Sequence, residues 1–146
     1  MGGIGRGRAR NLLIYLALFV FFGALYFNWG LAFGKVGGYT YADALLNADH
    51  KRVVRDLTVV AANHDRTDAH PLFVLFLNPV GVLITRVIGS ALVVAVLMNS
   101  VAGALCVVLA YAFFRRTGSS GFYAFAFAAI LGFSSTHIFF GSTPET

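Results

Sequence analysis

From Leu12 to Phe33 the chain runs for 22 residues without a charged side chain, and no other feature limits the fold as strongly. At about 1.5 Å per residue this run makes a helix of roughly 33 Å, long enough to cross a hydrocarbon core of about 30 Å. A lone segment in that core must satisfy its own backbone N–H and C=O groups, which a helix does. Arg6, Arg8 and Arg10 precede the run, and Tyr26 and Trp29 near its far end suit an interfacial aromatic belt. A secretory signal also has a basic start, but its apolar part is shorter, about 7–15 residues, and ends at a small-residue cleavage site. Residues 12–33 are therefore read as a first transmembrane helix, and residues 1–11 as a mobile, basic cytoplasmic tail.

The rest of the chain keeps the same character. Hydrophobic residues make up 58% of it and charged residues 12%, against about 25% charged in soluble proteins. The net charge of +5 raises the question of nucleic acid, but its distribution argues against that partner. Residues 34–70 hold five basic and five acidic side chains, whereas Arg6, Arg8, Arg10, Arg115 and Arg116 flank apolar spans. The excess is a topology signal. The single cysteine, Cys106, lies inside an apolar run and reads as a small buried side chain.

The apolar stretch from Pro71 to Phe114 is long enough for two crossings, and Pro79, Gly81 and Arg86 interrupt its first half. Two crossings would bring Arg115 and Arg116 out beside the neutral loop. One crossing would place them with the basic N-terminus, as the positive-inside tendency favours. The reading adopted is a single crossing over residues 90–114, with residues 71–89 forming an interfacial or re-entrant helix. Residues 115–121 then form a cytoplasmic loop and residues 122–140 a third span. Residues 141–146 lie outside, where the chain reads as cut short. Small residues such as Ala102, Gly103, Ala104, Ala124, Ala128 and Gly132 suit close helix packing. The expected fold is an all-α polytopic membrane protein with about three transmembrane helices and a juxtamembrane amphipathic helix in the first extracytoplasmic loop.

That loop, residues 34–70, carries five of the six acids and with them any chemistry. Residues 41–60 have helical periodicity. Leu46, Val53, Leu57 and Val60 form one apolar stripe, and Asp49, Arg52 and Asp56 lie along its edge. Asp49, His50, His64, Asp65, Asp68 and His70 are all metal-ligand types, yet no HExxH, paired cysteine or calcium-loop spacing joins them. No dedicated metal site is assigned, and a hard divalent cation held by one or two carboxylates stays open. No GxSxG or GxxxxGK[ST] motif is present.

What remains is a carboxylate able to take a proton from a hydroxyl while a phosphate leaves, a transfer that needs a base but no strong acid. Asp49 is the preferred base, because it sits nearer the helix start, between Leu46 and Val53. Arg52 is placed to orient it or hold a phosphate, and Asp56 is expected to behave as an ordinary surface residue.

The run Asn47-Ala48-Asp49-His50-Lys51-Arg52-Val53, followed by Asp56-Leu57-Thr58 and by Asn63-His64-Asp65-Arg66-Thr67-Asp68-Ala69-His70-Pro71-Leu72-Phe73, resembles the first outer loop of GT-C type glycosyltransferases. These are multi-spanning enzymes that use polyprenyl-phosphate sugars. The resemblance implies that Asp49 is the catalytic carboxylate and that His70, with Pro71, shapes a substrate pocket. It further implies that the chain is the N-terminal portion of a longer inverting transferase, inactive alone, which meets membrane lipid and a lipid-linked sugar donor. The expected location is a bacterial inner membrane with the N-terminus in the cytoplasm. The alternative is a small non-enzymatic membrane protein, such as a transporter subunit or assembly factor, whose loop binds a partner protein.

Overall fold

The computed structural model describes residues 3–35, 50–61 and 73–144. Within them the order is α1 (Gly3–Lys35), α2 (His50–Thr58), a π-helical turn (Phe73–Leu77), α3 (Asn78–Ile88), α4 (Ala91–Arg116), α5 (Gly121–Phe133) and α6 (Ser135–Ser142). No strand occurs among the described residues. Asn11–Lys35 and Ala91–Arg116 are each long and apolar enough to cross a bilayer, and α5 with α6 adds a third crossing if the bent pair is one span. The protein is an all-α polytopic membrane protein.

Three details depart from the sequence reading. Helix α1 begins at Gly3, so most of the basic segment expected as an irregular tail continues the helix. Adding residues to an existing helix is far easier than nucleating one. The apolar run over residues 122–140 is not one straight helix but breaks at Ser134, with 64° between α5 and α6. Ser134 is extended (φ −62°, ψ 138°). Its Oγ donates to the Leu131 carbonyl at 2.8 Å and accepts from the His137 N–H at 3.3 Å. One hydroxyl thus ends one helix and starts the next. Cys106 is exposed, not buried. On a membrane-spanning helix the outward face meets lipid, which accepts a thiol as readily as a core does.

The chain divides into two units. In the first, Met1–Tyr26 with Ser100–Gly141, the core is formed by Leu18, Phe22, Tyr26, Ala104, Val107, Tyr111, Ala124 and Ala128. Tyr15 lies against Tyr111 with ring centroids 5.5 Å apart. Farther along α1, Tyr26 approaches Gly103, where an added methyl would stand 3.1 Å from the ring. Rising numbers on α1 meet falling numbers on α4, so the two helices are antiparallel here. Ala124, Ala128 and Gly132 repeat every fourth residue and form the buried face of α5. An added methyl at Gly132 would overlap the Phe22 ring, which explains why only glycine fits. The Tyr26 hydroxyl donates to the Gly132 carbonyl at 2.9 Å, satisfying a polar tip inside an apolar core. His137 Nε2 stands 3.1 Å from the Gly103 carbonyl oxygen; a carbonyl only accepts, so this nitrogen carries the proton.

In the second unit, Phe27–Asn99 with Ser142–Thr146, Gly30 of α1 meets Val96 of α4, and a methyl at Gly30 would stand 2.6 Å from Val96 Cγ1. Both positions are five residues from a helix end, the last residue of α1 and the first of α4. Helix α1 therefore ends, and α4 begins, at one level. The segment between them leaves and returns on the same side. The apolar helix Leu75–Ile88 within it is shorter than either span, and a lone crossing there would have made α4 parallel to α1. The Gly30 backbone also abuts the Ser142 carbonyl, and Asn99 Nδ2 donates to the Thr143 carbonyl at 2.6 Å. Ser142, Thr143 and Pro144 are buried.

Candidate functional site

The charged cluster that the structure describes is on α2, in the second unit. Its nine residues include Lys51, Arg52, Arg55 and Asp56, a composition that would not hold a helix of this length in water without tertiary support. That support comes from one apolar edge. Val53 and Leu57, four apart and therefore on one face, are buried against Ala95 of α4, with Val54 and Met98 packed around them. The last turn is held from α3. Asn78 Nδ2 donates to the Asp56 carbonyl at 2.7 Å and to the Val59 carbonyl at 3.3 Å, supplying the donors that a helix C-terminus lacks. At Gly81 the backbones approach so closely that an added methyl would overlap the Leu57 carbonyl oxygen and come within 3.3 Å of Met98 Sδ. Glycine is what lets α2 seat on α3.

This seating corrects the expectation for Asp56. Helical periodicity placed it along the edge of the stripe as a surface residue, but it is only 7% exposed. Its Oδ1 makes no hydrogen bond. The nearest cationic atom is Arg55 Nε at 3.7 Å, from a guanidinium about half exposed. That distance is an ion pair without a hydrogen bond, and the partner's exposure weakens it further. Asp56 also lies in the last turn of α2, where the helix dipole disfavours negative charge. A carboxylate so placed is costly to keep. Its Oδ1 keeps unused acceptor capacity.

Arg52 stands four residues before Asp56 on the same helical face, and it is partly buried. The two side chains set a guanidinium and a carboxylate on one fixed backbone. Val60, placed on the apolar stripe from sequence, lies beyond the helix end and is 68% exposed. Asp49 and His70, the proposed base and pocket residue, lie outside the described residues, as does the expected helix over 41–49. Among the described residues no group of three or more histidine, cysteine or acidic side chains is gathered as for a metal ion. Asp56 was missed because helical periodicity alone cannot say that α3 closes over the edge of the stripe. The available signal was its position directly before Leu57 and four after Arg52.

Comparison with family models, with curated proteins and with solved structures finds no match to this chain. Fold and site together define a class only: a helical membrane protein with a short charged helix docked on α3 and the start of α4.

Proposed function

We propose that this chain is the N-terminal portion of an integral membrane glycosyltransferase that moves a sugar from a polyprenyl-phosphate donor to an acceptor on the extracytoplasmic side. The observation that carries the reading is the fixed placement of α2. Asn78, Gly81 and Ala95 hold this charged helix on α3 and α4, and a site for group transfer needs its charges on such an immobile backbone. Asp49, immediately before α2 in sequence, acts as the general base. Arg52 holds the donor phosphate, and His70 shapes the pocket. The membrane is a bacterial inner membrane with the N-terminus in the cytoplasm. The antiparallel course of α1 and α4 supports that sidedness, because it brings the segment carrying Arg6, Arg8 and Arg10 to the same end as Arg115 and Arg116.

The test is turnover in the full gene product with a polyprenyl-phosphate sugar. Asp49→Asn removes a base without changing shape, so turnover should fall by roughly 10²–10⁴-fold with donor affinity nearly intact. Turnover close to that of the unmodified protein would refute the assignment of Asp49 and leave the reading without its mechanism.

A further inference from the structure

The α4–α5 face of the first unit carries a groove of about 620 Å³ lined by Leu109, Ala110, Phe113, Phe114, Phe127 and Ile130, together with Leu131 and Ser134. Its volume falls within the range of about 300–1,000 Å³ in which ligand pockets occur. Small Ala110 and Ser134 leave the space open, and Phe114 against Phe127, with ring centroids 4.9 Å apart, forms one wall. In a membrane such a groove is filled by hydrocarbon. What singles it out is its polar end. Leu109, Phe113 and Arg116 follow one another at i, i+4 and i+7, one stripe of α4, so Arg116, which does not itself line the groove, lies one turn beyond Phe113 along the groove's exposed edge. Arg115 is held by the turn, its Nη1 donating to the Ser119 carbonyl at 2.8 Å. Arg116 is exposed and has no hydrogen bond or ion pair among the described residues. From Ala69 to Pro144 the chain contains no Asp or Glu at all. The N-terminus of α5, capped by Ser120, lies in the same turn and adds the positive end of a helix dipole. No acidic side chain from residues 69–144 stands ready to pair with Arg116.

We infer that this groove is a binding site for one anionic glycerophospholipid, whose acyl chain lies along Leu109, Phe113 and Ile130 and whose headgroup phosphate pairs with Arg116. The site is separate from α2 and does not depend on the proposed transferase activity. The phosphate gains a charge-assisted contact that a zwitterionic lipid offers less strongly, because its own cation competes.

The experiment is native mass spectrometry of the protein purified in mild detergent and exchanged against equal amounts of phosphatidylglycerol and phosphatidylcholine with identical acyl chains. The unmodified protein should retain a single phosphatidylglycerol in roughly five-fold preference, the size of effect expected for one basic residue at a membrane surface. Arg116→Gln should abolish the preference, and Arg116→Lys should keep most of it. Leu109→Trp, which narrows the groove at an exposed position, should lower retention of both lipids. Arg86→Gln removes an exposed arginine of α3 that does not line this groove, and should leave the preference unchanged. Equal retention of the two lipids by the unmodified protein overturns the inference. So does an equal loss of preference in Arg86→Gln and Arg116→Gln, which would mean general charge attraction and no site.

Discussion

Asp56 shows how one side chain can be misjudged from its own helix and corrected by its neighbours. Helical periodicity puts it on an edge, and α3 then covers that edge through Asn78 and Gly81. The result is a buried carboxylate with an unsatisfied oxygen, whose charge opposes folding. Replacing it by an amide of the same shape removes the charge and leaves a neutral group that is less costly to bury unpaired. Asp56→Asn should therefore raise stability by about 1 kcal/mol, read as a higher midpoint of thermal unfolding in detergent. An unchanged or lower midpoint would mean that the buried carboxylate does not oppose folding. By contrast, the apolar partners Val53 and Leu57 were legible from sequence, because a four-residue spacing fixes a shared face whatever covers it.

At the level of elements, the spans read directly from sequence because a bilayer demands long uncharged runs, and α1 and α4 meet that demand. The break between α5 and α6 did not, since residues 122–140 lack proline and remain apolar throughout. Its cue was the polar pair Ser134 and Ser135 just after Gly132, a composition at which helices kink. The seating of α2 on α3 was equally hidden, because it depends on the absence of a side chain. Gly81→Ala tests that seating. Alanine ordinarily favours a helix by about 1 kcal/mol over glycine. Here its methyl meets the Leu57 backbone, which cannot rotate away, and overpacking of this kind costs about 1–3 kcal/mol. Hydrogen exchange should show residues 50–58 losing protection in Gly81→Ala while α4 keeps its own. Unchanged protection of α2 would mean that the contact does not hold it.

For the whole molecule, sidedness joins the architecture to the proposed function. The charge pattern predicts that the turn after α4 is cytoplasmic, while the residues just after α2 are outside. Thr117 and Val60 are both exposed, so each accepts a reporter thiol once the exposed Cys106 has been replaced by serine. In intact cells a membrane-impermeant maleimide should label Val60→Cys and spare Thr117→Cys. The reverse pattern would invert the protein and move α2 to the cytoplasmic face. The two long spans could be judged from hydropathy. The charged helix's place on the bundle could not, because it is set by contacts between segments far apart in the chain.

The dependence of α2 on later elements has a consequence for biosynthesis. Leu57 emerges about forty residues before Met98, which at ~5–20 residues per second is a delay of roughly 2–8 s. During that interval Asn78, Gly81 and Ala95 are not yet in place, so α2 has no seat and its charges stay hydrated. The carboxylate of Asp56 is drawn out of water only when α3 and the start of α4 arrive. Helix α2 therefore waits, hydrated, for residues made about twenty to forty positions later, and docks before α5 and α6 are complete.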